Sequence, residues 1–404
     1  MMVLERWFEE RMFIMDEKLI NKGQEFIMGT YKQVPIVVDS GEGVFVKDTT
    51  GKKYIDFVSG IAVNSLGYNH PAVVQAIKEQ AEKLIHISNL YWNEPQIDLA
   101  EKLCKASGLN KAFFCNSGAE ANESAIKLAR KYGNGRQTII TLEQSFHGRT
   151  LGALTATGQS KYHKGFAPLP AGFKYVEANN VDMLKAAIDE GTCAIMLEVI
   201  QGEAGIISLN EAFLSYVQEV CKEKDILFIV DEVQSGMGRT GYAFAHQKFG
   251  LSPDIVTMAK AIAGGIPMGA MLAKDKVASA FQPGDHASTF GGNPMASHVG
   301  CAVADIIFEE AFLKNVQEVG AYFQARLAEL VDGKSILEVR GCGLMLGLLL
   351  ADDVNPGEIV NAAREEGLLI CTAGKQVLRF VPPLIVNKEE IDMAMSVLKK
   401  VIGK

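Results

Sequence analysis

No CxxC pair occurs among the seven cysteines of this 404-residue sequence. A chain of such length needs no covalent staples, so Cys104, Cys115, Cys193, Cys221, Cys301, Cys342 and Cys371 read as reduced thiols of a cytoplasmic protein, most of them buried. A surplus of positive charge is also missing. Forty basic residues against 48 acidic ones give a formal net charge of −8, which removes the field that would hold a nucleic acid. No charge-free apolar run reaches the roughly 18 residues of a membrane helix. The best candidate, Ala261 to Ala273, is broken by Gly264, Gly265, Pro267 and Gly269. The opening MMVLERWFEERMFIMDEK mixes charges among its apolar residues instead of forming the unbroken apolar stretch of a secretory leader, so export is not expected. Internal repeats and low-complexity tracts are lacking, and with 48% hydrophobic residues disorder and a collagen-like chain are excluded.

What is there is an ordinary apolar fraction with a mild excess of glycine, 39 residues, which marks turns and places where backbone approaches backbone or ligand closely. The first 30 residues have the pattern of an amphipathic helix or two, and Met12, Met15 and Met28 are alternative starts. Short β segments punctuated by Gly41, Gly43 and Gly51 predict a meander from Ile36 to Phe57, and Pro71 opens a helix. From about Lys111 to Ala273 short apolar runs alternate with helical stretches: AFFC, QTIIT, CAIMLEVI, ILFIV, DIVTM and GAMLA are the runs. Such alternation predicts an α/β fold with a mostly parallel central sheet. The remainder predicts a smaller α+β unit, to which the N-terminal meander is expected to contribute. We therefore expect residues 1–66 to form an N-terminal segment and part of a small domain, 67–304 a large α/β domain, and 305–404 the C-terminal small domain.

Three motifs carry chemistry. In FFCNSGAEANESAIKLARKYG a strand turns into a helix at Asn116, Ser117, Gly118 and Ala119, small residues that let backbone N–H groups converge on a phosphate. A plain helix cap by Asn116 or Ser117 is the alternative. In LFIVDE, Asp231 stands at the end of a buried strand, where open α/β sheets bind ligands; a capping acid would look the same. Lys260, between the apolar DIVTM and a glycine-rich loop, loses hydration and becomes a candidate amine nucleophile, unless its chain simply reaches out to water. An anion cup, a carboxylate for a ring nitrogen and an amine for an aldehyde are together the attachments that pyridoxal 5'-phosphate requires. GMGRTG at Gly236 to Gly241 also satisfies the GxGxxG pattern of an NAD-dependent oxidoreductase. Five residues separate it from the preceding strand, however, and no long helix follows.

NSGAEANE, SFHGRT, DEVQSGMGRTG, AKAIAGGIPMGA and STFGGNP, in this order, resemble the signatures of class III pyridoxal-phosphate aminotransferases of the ornithine, acetylornithine and 4-aminobutyrate type. The resemblance runs from about Gly23 to the C-terminus and implies fold type I. SNLYWNEPQ, FHGRT and LRFVPPL look most like the members acting on N-acetylornithine in arginine biosynthesis, whereas ornithine-specific members tend to carry tryptophan where this chain has His147. Tyr68 and Ala287 depart from common histidine and glycine positions of the family, away from the cofactor's attachment points.

The resemblance implies a role for each matching residue. Lys260 would bind the cofactor covalently and shuttle protons, and Asp231 would keep the ring nitrogen protonated. Ser117, Gly118 and Ala119 would hold the phosphate, reached also by Thr289 from the partner in a homodimer. Phe146 would stack on the ring, and Val233 and Gln234 would contact its other face and phenolic oxygen. N-acetylornithine carries its α-carboxylate far from the reacting amine, whereas glutamate carries one carboxylate beside its amine and one farther off. Arg149 fits the distal carboxylate and Arg379 the proximal one, each through a bidentate fork. Glu203 would mask Arg379 until glutamate arrives, and Ser288 and Tyr31 are further substrate contacts. The expected reaction is transfer of the δ-amino group of N-acetylornithine to 2-oxoglutarate by a ping-pong route. Succinylornithine, ornithine, acetyl-lysine and 4-aminobutyrate are alternative donors, and a regulator that binds the cofactor without turnover is a different class. Against that last reading, the 30 residues ahead of Tyr31 are too few for a DNA-binding domain.

Overall fold

The computed structural model describes residues 16–403; the candidate starts Met12 and Met15 and most of the expected N-terminal helix lie outside them. Residues 16–26 are helical. The meander follows as expected: β1 (Val38–Glu42), β2 (Phe45–Asp48) and β3 (Lys53–Asp56) pair antiparallel. Helix α1 (Pro71–Lys83) starts on its proline with His70 as N-cap, and α2 (Glu94–Ser107) is capped by Asn93.

The central sheet has seven strands: β4 (Lys111–Cys115), β5 (Thr138–Leu142), β6 (Phe173–Val176), β7 (Thr192–Leu197), β8 (Leu227–Asp231), β9 (Ile255–Met258) and β10 (Gly269–Ala273). Their spatial order is β4-β10-β9-β8-β7-β5-β6. All neighbours run parallel except β10, which is antiparallel to both β9 and β4. Every residue of β7, β8, β9 and β10 is buried, as expected of strands covered on both faces. Alternation along the strands sorts their side chains into two cores. Ile139, Ala194, Met196, Leu227, Ile229 and Met271 pack with Ala125, Leu128 and Ala129 of α3 (Gly118–Tyr132). Ile140, Ile195, Leu197, Phe228, Val230 and Leu272 belong to the other core, to which α4 (Glu211–Lys224), packed on β7 and β8, contributes Phe213, Leu214, Val217 and Val220. Strand β6 was not expected: FKYV is short and not fully buried, so the sheet's edge leaves little periodic trace.

Helix α5 (Pro294–Ile307) packs on α1 and α2. After α6 (Glu310–Ala328) come β11 (Ile336–Cys342), β12 (Met345–Leu350), α7 (Pro356–Glu365), β13 (Leu368–Leu369), β14 (Cys371–Ala373), β15 (Val377–Phe380) and α8 (Lys388–Ile402). Strands β11-β12-β15-β14 form an antiparallel sheet. Strand β13 pairs parallel with β3, joining residues near both ends of the chain in one sheet. No helix among the described residues is long and apolar enough to cross a membrane.

Candidate active site

A cavity of about 440 Å³ opens at the carboxyl edge of the central sheet. Its walls are the segments that leave the parallel strands: Ser117 to Ala119 after β4, Phe146 to Arg149 after β5, Glu198 after β7, Asp231 at the end of β8 and Lys260 after β9. Because β10 runs the other way, Pro267 and Met268 reach the same cavity just before it begins. One edge of one sheet thus gathers residues spread over more than 140 positions of sequence.

At the mouth of α3, Ser117 is the N-cap and its hydroxyl accepts from the Glu120 amide at 3.2 Å. The first amides of a helix have no partner within it and face outward with the positive end of the dipole, which suits a phosphate. Gly118 leaves the space: a Cβ there would lie 2.7 Å from Val233 Cγ1. Gly269, the first residue of β10, is needed for a similar reason, since its Cβ would stand 2.4 Å from the Ser117 carbonyl oxygen. Lys260 has φ of 50°, a left-handed conformation that is costly outside glycine and is found where a site imposes it. Burial pushes its amine down to about 8, although Glu203, Asp231 and Glu198 pull the other way. The amine is therefore partly neutral near pH 7.

Behind the cavity lies a buried polar network. Asp231 accepts from Asn122 Nδ2 at 2.8 Å, from His147 Nδ1 at 2.8 Å and from the Val233 amide at 2.9 Å. Asn122 is oriented in turn by Thr257, whose hydroxyl donates to its Oδ1 at 2.6 Å. Burial opposes protonation of His147, but the hydrogen bond and charge of Asp231, with the charge of Glu198, outweigh it and raise its pKa. Its Nε2 has no partner among the described residues. Glu198, which accepts from the Phe146 amide at 3.0 Å, is pushed up to about 7 by burial and by Asp231, with His147 opposing. A fixed carboxylate backed by a histidine, an amine of lowered pKa and an anion cup fit pyridoxal phosphate. The donor set would hold its phosphate, ring nitrogen and aldehyde.

The two arginines are held differently. Arg379, on β15, is 3% exposed, and its Nη1 donates to Glu203 and to Gln234 Oε1 at 3.3 Å, while its Nε reaches Cys371 Sγ at 3.4 Å. Burial would lower the pKa of Arg379 and raise that of Glu203, but Cys371 and Glu203 beside the guanidinium, and Arg379 beside the carboxylate, reverse both. Arg149 lines the cavity and is exposed, and among the described residues no hydrogen bond or ion pair holds it.

Of the expected site residues, Ser117, Gly118, Ala119, Phe146, Arg149, Glu203, Asp231, Val233, Gln234 and Lys260 line the cavity, and Arg379 adjoins it through Glu203 and Gln234. Ser288 touches its rim through Asn116 Nδ2 at 3.3 Å. Tyr31 is 77% exposed and Thr289 is exposed, and neither is among the lining residues. Asn122, Thr257 and Glu198 were not singled out from sequence. Glu198 carries the same signal as Asp231, an acid directly after a fully buried apolar strand, whereas the Asn122 and Thr257 contacts need the packing of α3 on the sheet. The GMGRTG segment is a series of turns with no strand-to-helix junction. Its Arg239 is buried and donates to the carbonyls of Leu344, at 3.1 Å, and Pro382, tying the loop to the C-terminal part of the chain. The dinucleotide reading falls with that geometry.

The family model described as aminotransferase class-III matches residues 27–402. The acetylornithine aminotransferase of Caldanaerobacter subterraneus subsp. tengcongensis is 54% identical over 96% of this chain and 99% of its own length. That of Aquifex aeolicus is 52% identical over 93% and 100%. Among solved structures, the ornithine aminotransferase of Toxoplasma gondii matches with a TM-score of 0.92 at 30% identity, covering 96% of this chain and 95% of that one. The N-acetylornithine aminotransferase of Stenotrophomonas maltophilia matches with a TM-score of 0.82 at 37% identity, covering 95% and 98%.

Proposed function

The chain belongs to the class-III aminotransferases, and we propose that it moves the δ-amino group of N-acetylornithine to 2-oxoglutarate, giving N-acetylglutamate 5-semialdehyde and glutamate in arginine biosynthesis. Its cofactor is pyridoxal 5'-phosphate. The fold serves ornithine and acetylornithine enzymes alike, so the backbone does not choose the donor. Sequence similarity of about half the residues over nearly the whole chain, to acetylornithine aminotransferases, favours this one.

The observation that carries the reading is the unequal treatment of the two arginines. Arg149, with its donors open, takes the carboxylate remote from the reacting carbon in either substrate. Arg379 takes the carboxylate beside the amine, which glutamate has and the δ-end of N-acetylornithine lacks. During the first half-reaction Glu203 neutralises it. The exposures suit a gate, because the Arg379 side chain is 3% exposed whereas that of Glu203 is 28% exposed, so Glu203 is the partner with a side open to water. Bound pyridoxal phosphate supplies an aldehyde to take up the amino group and a protonated ring to accept the electron pair of the breaking C–H bond. Ser117, Gly118 and Ala119 would hold its phosphate, Phe146 and Val233 would pack on its ring, and Gln234 would meet its phenolic oxygen. Asp231, braced by His147 and Asn122, would hold the proton on the ring nitrogen. Lys260 Nζ, partly neutral, would hold the aldehyde carbon between turnovers and would move the proton on the substrate carbon. Ser288 and Tyr31 complete the substrate contacts.

Thr289 enters this reading from a second copy of the chain. Leu84, Ile85, Leu90, Tyr91 and Trp92 are exposed, Trp92 by 89%, and so is Phe290 beside Thr289. Asn89 Nδ2 donates to the carbonyls of Ser288 and Gly291, both at 2.9 Å, which brings the exposed apolar residues of the two segments together on one face. The seven free thiols agree with a cytoplasmic location. Single-turnover measurements on the purified enzyme test the donor. N-acetylornithine is expected to discharge the visible band of the cofactor faster than ornithine or 4-aminobutyrate does; faster reaction of either rival overturns the assignment.

A further inference from the structure

Arg149 faces a conflict of demands. To catch a carboxylate it must be poised in one orientation, yet any acid that held it there would occupy the same N–H groups the substrate needs. The backbone on either side is fixed. The His147 amide donates to Thr157 Oγ1 at 2.9 Å, and Glu123 Oε1 accepts from the Thr150 hydroxyl at 2.6 Å and from the amides of Gly152 and Ala153 at 2.9 and 3.1 Å. The guanidinium itself has no hydrogen bond or ion pair among the described residues. What it has is a ring: its Cζ lies 3.9 Å from the centroid of Tyr162, and 5.4 Å from that of Phe146. Tyr162 stands edge-on to Phe146 at 6.0 Å and 84°, and its short helix, Ser160–His163, is anchored by contacts of His163 Nε2 with the carbonyls of Leu154 and Thr157 at 2.9 and 2.8 Å.

We propose that Tyr162 is the positioning residue of Arg149, holding the guanidinium by its face so that all its in-plane donors stay open for a carboxylate. A cation on an aromatic face is attracted to the ring's quadrupole without spending a donor. The site therefore combines a gated arginine, Arg379, with one that is oriented but never masked. The inference rests on the reading that Arg149 takes the carboxylate remote from the reacting amine, and Tyr162 would set the selectivity for donors that carry one.

The holoenzyme and its Tyr162→Leu, Tyr162→Phe and Arg149→Gln variants are compared by three readouts. These are the KM and kcat for N-acetylornithine, the Kd of glutarate by calorimetry, and kcat/KM for 1,4-diaminobutane, a donor without a carboxylate. Tyr162→Leu is expected to raise the KM and the glutarate Kd roughly three- to thirtyfold, with kcat and diaminobutane turnover changed less than about twofold. Tyr162→Phe, which keeps the ring, restores the values of the native enzyme. If Arg149→Gln weakens glutarate but Tyr162→Leu does not, or if Tyr162→Leu impairs the diamine as much as N-acetylornithine, the positioning role is wrong. If Arg149→Gln itself leaves glutarate binding unchanged, the assignment of Arg149 fails and the inference with it. Should Tyr162→Leu not fold, Tyr162→Met removes the ring at similar volume and is read by the same criteria.

Discussion

Lys260 shows how much a single side chain owes to its surroundings. Its place after an apolar strand and before a glycine-rich loop is written in the sequence, and so is the expectation of lost hydration. The left-handed backbone and the size of the effect are not; the latter depends on how deeply the amine is buried and on Glu203, Arg379, Asp231 and Glu198 converging on it. With a pKa near 8, roughly a tenth of the amine is neutral at pH 7, against a few parts in ten thousand for an ordinary lysine. Labelling of Lys260 in the cofactor-free protein by a small aldehyde and borohydride should therefore rise about tenfold per pH unit below 8 and level off above it. A rise that continues to pH 10, followed by peptide mass analysis, would count against the lowered pKa. Asp231 was legible as a strand-end acid, but its histidine backing was not, since Nδ1 of His147 reaches it across a gap of 84 residues.

The strand-turn-helix from β4 to α3 was the most readable element. Polar cap residues, a run of small residues and helical periodicity all lie within one stretch, so local chemistry alone specifies it. Why position 118 must be glycine became clear only from the loop after β8, which brings Val233 against it. Replacing Gly118 by valine forces that loop away from the cup. Overpacking of this kind costs about 1–3 kcal/mol, and the affinity for pyridoxal phosphate, titrated by absorbance, should fall roughly ten- to a hundredfold, with Gly118→Ala intermediate. Unchanged affinity would mean that the loop yields freely. Strand β6, by contrast, was not legible. It lies at the sheet's edge with three of its four residues only partly buried, so neither a continuous apolar run nor a clean alternation marks it.

At the level of the whole molecule, the exposed apolar side chains around Trp92 and Phe290 and the exposed Thr289 fit the proposal that a second copy of the chain completes the site. Trp92→Asp should shift the protein toward a monomer in sedimentation at micromolar concentration. It should also weaken cofactor binding, because Thr289 would no longer reach the neighbouring phosphate; a variant that remains associated and fully active would remove this surface from the interface. The segment SNLYWNEPQ was noted in the sequence as family-like, but nothing in its order says that it lies beside residues 288–291, some 200 positions away.

The sequence by itself determined the class of the molecule, the order of all its central βα units but the edge strand β6, and the three groups of residues proposed to hold the cofactor. Each of these is encoded in contiguous residues whose periodicity or small size has a local physical cause. Tertiary structure decided which distant groups act on one another: His147 and Asn122 on Asp231, Glu203 on Arg379, Tyr162 on Arg149, and Arg239 on the carbonyls that close the misleading GMGRTG loop. Charge, burial and ring contacts act through space, so these pairings came into being only when the strands were laid side by side and their carboxyl ends met.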